Sequence, residues 1–123
     1  MLIRRLEECA PFVAGDGTLL RELLHPDRQQ GGFRYSLAHA RLAPGCSSLP
    51  HALRTSEVYY ILQGAGRMRV GDETAEVGAG DAVVIPPGAL QCIESLGPEE
   101  LAFLCIVDPA WRAEDETVVP APD

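Results

Sequence analysis

The sequence contains no lysine and no asparagine, and all ten basic residues of its 123 are arginine. Without lysine there is no Schiff-base chemistry, no lysine-anchored cofactor and no phosphate-binding lysine of a Walker nucleotide site. Without asparagine there is no N-x-S/T glycosylation acceptor. Long apolar runs are missing too: the longest, residues 101–107, is far too short to cross a bilayer as a helix. Residues 1–30 carry Arg4, Arg5, Glu7, Glu8, Asp16, Arg21 and Glu22 where a secretory signal would have its apolar centre. The expectation is a cytoplasmic protein without a membrane partner.

Positive charge is scarce overall. The formal net charge is −8 and no stretch gathers arginine into a patch, so no attraction toward phosphate backbones or anionic lipid is expected. Four cysteines, Cys9, Cys46, Cys92 and Cys105, form no C-x-x-C pair and lie in or beside apolar segments. They read as reduced, small core residues rather than as zinc ligands or redox groups. What is present, 46% hydrophobic and 23% charged residues, is the balance of one globular domain whose core needs no covalent staple at this length.

In residues 1–32 the signals are mixed. Leu19, Leu20, Leu23 and Leu24 recur at helical spacing, but the stretch ends at His25-Pro26, where proline disfavours helix in the residue before it. The segment reads either as a helical turn or as an edge strand, packing on the domain formed by residues 33–107. From residue 33 the pattern changes to short segments closed by Gly, Pro or Asp: 33–42, 57–63, 67–70, 74–77, 82–85, 91–94 and 101–107. That rhythm belongs to an antiparallel all-β sandwich or barrel. Gly71-Asp72 marks a tight hairpin, with glycine supplying the positive φ of a type II′ turn. Residues 108–123 turn acidic and proline-rich, as a tail that wraps the surface or frays.

Glycine pairs at Gly64-Ala65-Gly66 and Gly78-Ala79-Gly80 lack the third glycine of a dinucleotide fingerprint, having Arg69 and Val83 there, so no nucleotide cofactor is expected. Gly45 to Leu49 likewise lacks the final glycine of a nucleophile elbow.

The informative stretch runs from Gly45 through His51 and Glu57 to Gly64. It resembles the first cupin motif, G-x5-H-x-H-x3-E-x6-G, with Leu53 where the second histidine would stand. Gly80, Pro86 and Gly88 resemble the second motif, G-x5-P-x-G-x2-H-x3-N, with Gln91 in place of histidine and Ser95 in place of asparagine. The resemblance implies a single-domain jelly-roll barrel over residues 33–107, a homodimer, and a divalent metal (Mn, Fe, Zn or Ni) held by His51, Glu57 and Gln91. It further implies a metal-dependent enzyme of oxygenase, isomerase or lyase type acting on a small oxygenated metabolite. The replacements at Leu53 and Gln91 carry the alternative, a metal-free module that binds or senses a small molecule.

On an unbroken strand His51, Leu53, Glu57 and Tyr59 would share one face, while Tyr59 and Tyr60 would point to opposite sides. Alternation puts Tyr35, Leu37 and His39 on one face of their segment and Ser36, Ala38 and Ala40 on the other, without saying which is inward. His39, Tyr35, Leu53, Tyr59 and His25 are therefore candidates for the pocket. Arg41 is either exposed or an anion-binding group at the mouth, and Trp111 is a hydrophobic latch for the tail.

Overall fold

Alternating apolar and polar residues build two facing antiparallel sheets. The structure is a computed structural model that describes residues 1–122. Its strands are β1 (Phe12–Val13), β2 (Leu19–Leu24), β3 (Ser36–Leu42), β4 (His51–Leu53), β5 (Ser56–Gln63), β6 (Ala65–Val70), β7 (Glu73–Gly78), β8 (Ala82–Ile85), β9 (Gln91–Ser95), β10 (Leu101–Asp108) and β11 (Glu116–Val118). One sheet has six strands in the order β1-β2-β3-β10-β5-β8, and the other has five in the order β11-β4-β9-β6-β7. From β3 to β6 the chain crosses between the sheets at every connection, which gives the jelly-roll architecture. No helix among the described residues is long and apolar enough to cross a membrane.

Register in the six-stranded sheet arranges the interior in rows. Val107 stands opposite Ser36 on one side and Glu57 on the other; Cys105 pairs with Ala38 and Tyr59, and Phe103 with Ala40 and Ile61. Leu101 pairs with Leu42. Side-chain period two places all of these on one face, so the rows nearest Phe103 and Leu101 become solid core with Met68, Ile85 and Ile93 from the other strands. Rows nearer Val107 carry Ser36 and Ala38, which are too small to fill the space between the sheets. A cavity is left at that end.

Two glycines are required by the backbone. Gly71 has φ +59° in the two-residue loop that closes Val70 against Glu73, as the hairpin reading expected. Gly64 has φ +82°, and a Cβ there would lie 2.7 Å from the Glu100 carbonyl oxygen, so no other residue fits without moving the chain.

Both ends of the chain join the sheets. Leu19–Leu24 is a strand, paired with β1 on one side and β3 on the other, because neighbours on both sides outweigh its helical spacing. The C-terminal segment crosses the cavity end and adds β11 to β4, Glu116 facing Leu53 and Val118 facing His51. All four cysteines are free, but Cys46 is exposed on a loop rather than packed in the core.

The rows make a stability prediction. Phe103 is fully buried, so Phe103→Ala should cost about 3–5 kcal/mol in urea unfolding. Tyr60, its neighbour on the outer face at 41% exposure, should cost less than about 1 kcal/mol when cut to alanine. Equal losses would contradict this assignment of the inner and outer faces.

Candidate functional site

The space left by Ser36 and Ala38 is a cavity of about 250 Å³ with a floor of Tyr59 and Phe103, whose ring centroids lie 4.5 Å apart with the planes tilted by 34°. His51 and Leu53 enter from β4 in the five-stranded sheet, and Glu57 and Tyr59 from β5 in the six-stranded one. The strand is thus broken, not extended: the chain bends at Arg54 and Thr55 and changes sheet, so His51 and Glu57 occupy opposite walls of one cavity.

His51 is 3% exposed and its ring is fixed from behind. Nδ1 lies 3.0 Å from the Leu49 carbonyl oxygen, an acceptor, so Nδ1 carries the proton and Nε2 is the ring atom facing Asp16. Asp16 sits in the turn Gly15-Asp16-Gly17-Thr18, where its Oδ1 accepts from the Thr18 amide at 3.1 Å and the Thr18 hydroxyl at 2.7 Å. Its Oδ2 lies 3.6 Å from His51 Nε2. The Leu49 amide donates to the Asp16 carbonyl at 2.7 Å, so one residue anchors both the acid and the imidazole.

Glu57 is 6% exposed and accepts a hydrogen bond from Gln91 Nε2 at 2.8 Å. Gln91 pairs with His51 in the ladder between β9 and β4, so it belongs to the same sheet as His51 and reaches across to Glu57. Its Oε1 is buried and has no partner. Burial pushes the Glu57 carboxyl up to about 8, against the hydrogen bond from Gln91, and the Asp16 and Glu116 carboxylates push the same way as burial. Glu57 therefore holds its proton at neutral pH. Desolvation also raises the Tyr59 phenol and the Cys105 thiol well above their ordinary ranges, so both are neutral.

The structure brings only part of the pocket set together. Leu53 and Tyr59 line the cavity. His25 is buried nearby as a latch: its Nδ1 accepts from the Asp27 amide at 3.1 Å, which makes Nε2 the donor to the Trp111 carbonyl at 2.8 Å. Arg112 and Asp27 join the same strap at 2.7 Å. His39 and Tyr35 lie outside the cavity, because burial of Ala40 and Leu42 fixes the Ser36–Ala38–Ala40 face as the inner one. His39 stands among Arg21 and Arg41 on the outer face, where desolvation first and these cations second lower its pKa. Arg41 meets Glu100 at 3.6 Å, and Trp111 lines the cavity edge while its indole donates to Glu116 at 3.2 Å. Asp16 and Glu116 were not singled out by sequence reasoning. The only local trace of Asp16 was a D-G-T turn, and Glu116 lay in the polar tail.

The donor set does not fit a resident divalent ion. Among the described residues no three His, Cys, Asp or Glu side chains converge on one point. Leu53 closes the position of a second imidazole, His51 Nε2 faces Asp16, and one Glu57 oxygen is already bonded to Gln91. What the arrangement offers is a buried neutral acid on one wall and an oriented imidazole on the other.

The Glu57 proton has a measurable consequence. The folded chain keeps it up to about pH 8, whereas an unfolded carboxyl releases it near 4.5. Its contribution to stability is complete below pH 4.5 and lost as pH rises to 8, with a slope of at most ~1.4 kcal/mol per pH unit. Urea unfolding of wild type should weaken across that window more than that of Glu57→Gln. Parallel pH profiles for the two proteins would mean that Glu57 ionises normally.

Residues 38–107 match the family model described as a cupin domain. An uncharacterized protein of Methanocaldococcus jannaschii is 39% identical over 114 residues, covering 92% of this chain and 90% of that protein. The polyketide cyclase RemF of Streptomyces resistomycificus superposes with a TM-score of 0.81 at 22% identity, over all of this chain and 88% of its own. A predicted oxalate decarboxylase of Thermotoga maritima superposes at 0.75 with 24% identity, over 86% and 97%. A nucleoside dehydratase, a Streptomyces protein, superposes at 0.76 with 21% identity, over 97% and 91%. With both motif regions, the two-sheet barrel and a family match over more than half its length, the chain belongs to the cupin domain family.

Proposed function

We propose that this cupin is a small-molecule enzyme of isomerase or lyase type that works by proton transfer inside the barrel. The observation that carries the reading is the placement of His51 and Glu57 on opposite walls of one cavity, one an oriented imidazole and the other a carboxylic acid that keeps its proton. On a substrate with a carbonyl, His51 Nε2 takes a proton from the adjacent carbon. The C–H electron pair forms a C=C bond, and the carbonyl π pair moves onto oxygen and takes the Glu57 proton. His51 then holds the proton and Glu57 the charge. On an α-hydroxycarbonyl, His51 returns its proton to the former carbonyl carbon while Glu57 takes the proton of the other enediol hydroxyl. With a leaving group on the next carbon, His51 protonates the departing group while Glu57 takes back the enol proton, and either course restores both residues. Gln91 holds Glu57 in place, Asp16 faces the imidazole, and the apolar walls Leu53, Phe103 and Val107 exclude water from the acid. Solved structures of this fold include proteins named as a cyclase and a dehydratase, which is compatible with such chemistry in the barrel.

The test tracks solvent deuterium entering the carbon next to a carbonyl, by NMR, across a panel of small hydroxycarbonyl compounds. Untagged protein is used, purified without a metal column, and its metal content is read in parallel. The expected result is enzyme-dependent exchange that survives chelation and falls by about 10²–10⁴-fold in both His51→Gln and Glu57→Gln. Exchange lost on chelation, with about one metal ion per chain, would replace this reading by a metal-dependent one. Binding without exchange would leave a non-catalytic module.

A further inference from the structure

The cavity's polar atoms are mostly hydrogen-bond acceptors. Asp16, Glu22 and Glu116 line it, and their carboxylates meet few donors there. Asp16 Oδ1 is satisfied by Thr18, but Asp16 Oδ2 and His51 Nε2 make no hydrogen bond among the described residues and face each other across 3.6 Å. Both residues are more than nine-tenths buried and both line the cavity, so these atoms are reached from the cavity rather than from the outer surface. Asp16 Oδ2 is therefore a carboxylate oxygen that faces the cavity without a hydrogen-bond donor among the described residues, and a ligand donor can supply one.

The protein's own donors are largely committed. Thr18 Oγ1 donates to Asp16, the Trp111 indole to Glu116 and the Trp111 amide to Ser36. Among the described residues Arg28 is the only guanidinium on the lining, and it turns to Glu22 at 3.1 Å with 60% of its side chain in solvent. The neutral hydroxyls of Glu57 and Tyr59 remain for a ligand acceptor. An anionic group would meet three carboxylates, with no free cation among the described residues of the lining to offset them.

We infer that the ligand of this cavity is a hydrogen-bond-donor-rich molecule without an anionic group, an uncharged polyol or its amine analogue, with one O–H or N–H donated to Asp16 Oδ2 beside His51. The inference rests on the proposed function only in taking the same cavity as the site. It narrows a small oxygenated metabolite to one side of the charge divide, and it makes Asp16 a specificity-determining residue. Glu57 supplies the matching donor to a ligand acceptor on the opposite wall.

Three probes on one carbon skeleton test it: D-glucitol, D-glucamine and D-gluconate, differing in a terminal hydroxymethyl, aminomethyl or carboxylate. Binding is read from the methyl NMR signals of Ala38, Leu53 and Val107 during titration of the full chain. The expected result is that glucitol or glucamine shifts these signals and binds at least about tenfold more tightly than gluconate. The better of the two identifies the donor as hydroxyl or ammonium. Asp16→Asn should narrow the preference over gluconate by removing a carboxylate, and its unchanged signals from core Ile61 and Ile93 would show that the fold is intact. Gluconate binding as tightly as the other two in the wild type, or no shift from any probe, would overturn the inference. Binding of the uncharged or amine probe without deuterium exchange on any hydroxycarbonyl would leave it standing while removing the proton-transfer reading. Exchange on anionic substrates alone would do the reverse.

Discussion

Everything at the functional end of this barrel depends on the shared register of β3, β10 and β5. With Val107, Ser36 and Glu57 in one row and Cys105, Ala38 and Tyr59 in the next, strand pleating sends all six side chains inward. Two of the six are small, and the facing sheet does not close over them. The rows beyond, built on Phe103 and Leu101, are filled by large side chains. A single run of strand pairing therefore sets both the core and the cavity. A one-residue slip would exchange the two faces and put His39 and Tyr60 inside.

The chemistry of the cavity is set by solvation. A carboxyl so deeply buried is costly to ionise unless donors or cations surround it, and Glu57 has one amide donor with two carboxylates nearby. Keeping the proton is the cheaper state, and it leaves a neutral acid ready to donate. His51 is fixed differently, by the Leu49 carbonyl behind the ring, and Asp16, which faces Nε2, is held by the amide of the same Leu49. The acid and the imidazole come from consecutive strands but different sheets, so the short bend at Arg54 and Thr55 spreads two residues close in sequence across a whole cavity.

From β3 onward the strands other than β4 and β11 were legible because they are short segments closed by Gly, Pro or Asp. β2 was not, since leucines at 19, 20, 23 and 24 fit a helix as well as a strand and only its pairing with β1 and β3 decides. β4 has three residues and β11 lies in a polar tail, too short or too charged for pattern reading. At the site, His51, Glu57 and Gln91 were legible through motif spacing. Asp16 and Glu116 were not, because their places come from loops and strands brought together by topology alone. Alternation defined the two faces around His39 without orienting them; burial of Ala40 and Leu42, a property of the folded sheet, oriented them.

The central claim is that Glu57 holds its proton across from His51, and the direct measurement is a pH titration of the Glu57 side-chain carboxyl by ¹³C NMR, assigned with Glu57→Gln. A midpoint near 8 is the predicted result. A midpoint near the ordinary 4.5 would show a carboxylate in the cavity at neutral pH and would contradict the claim.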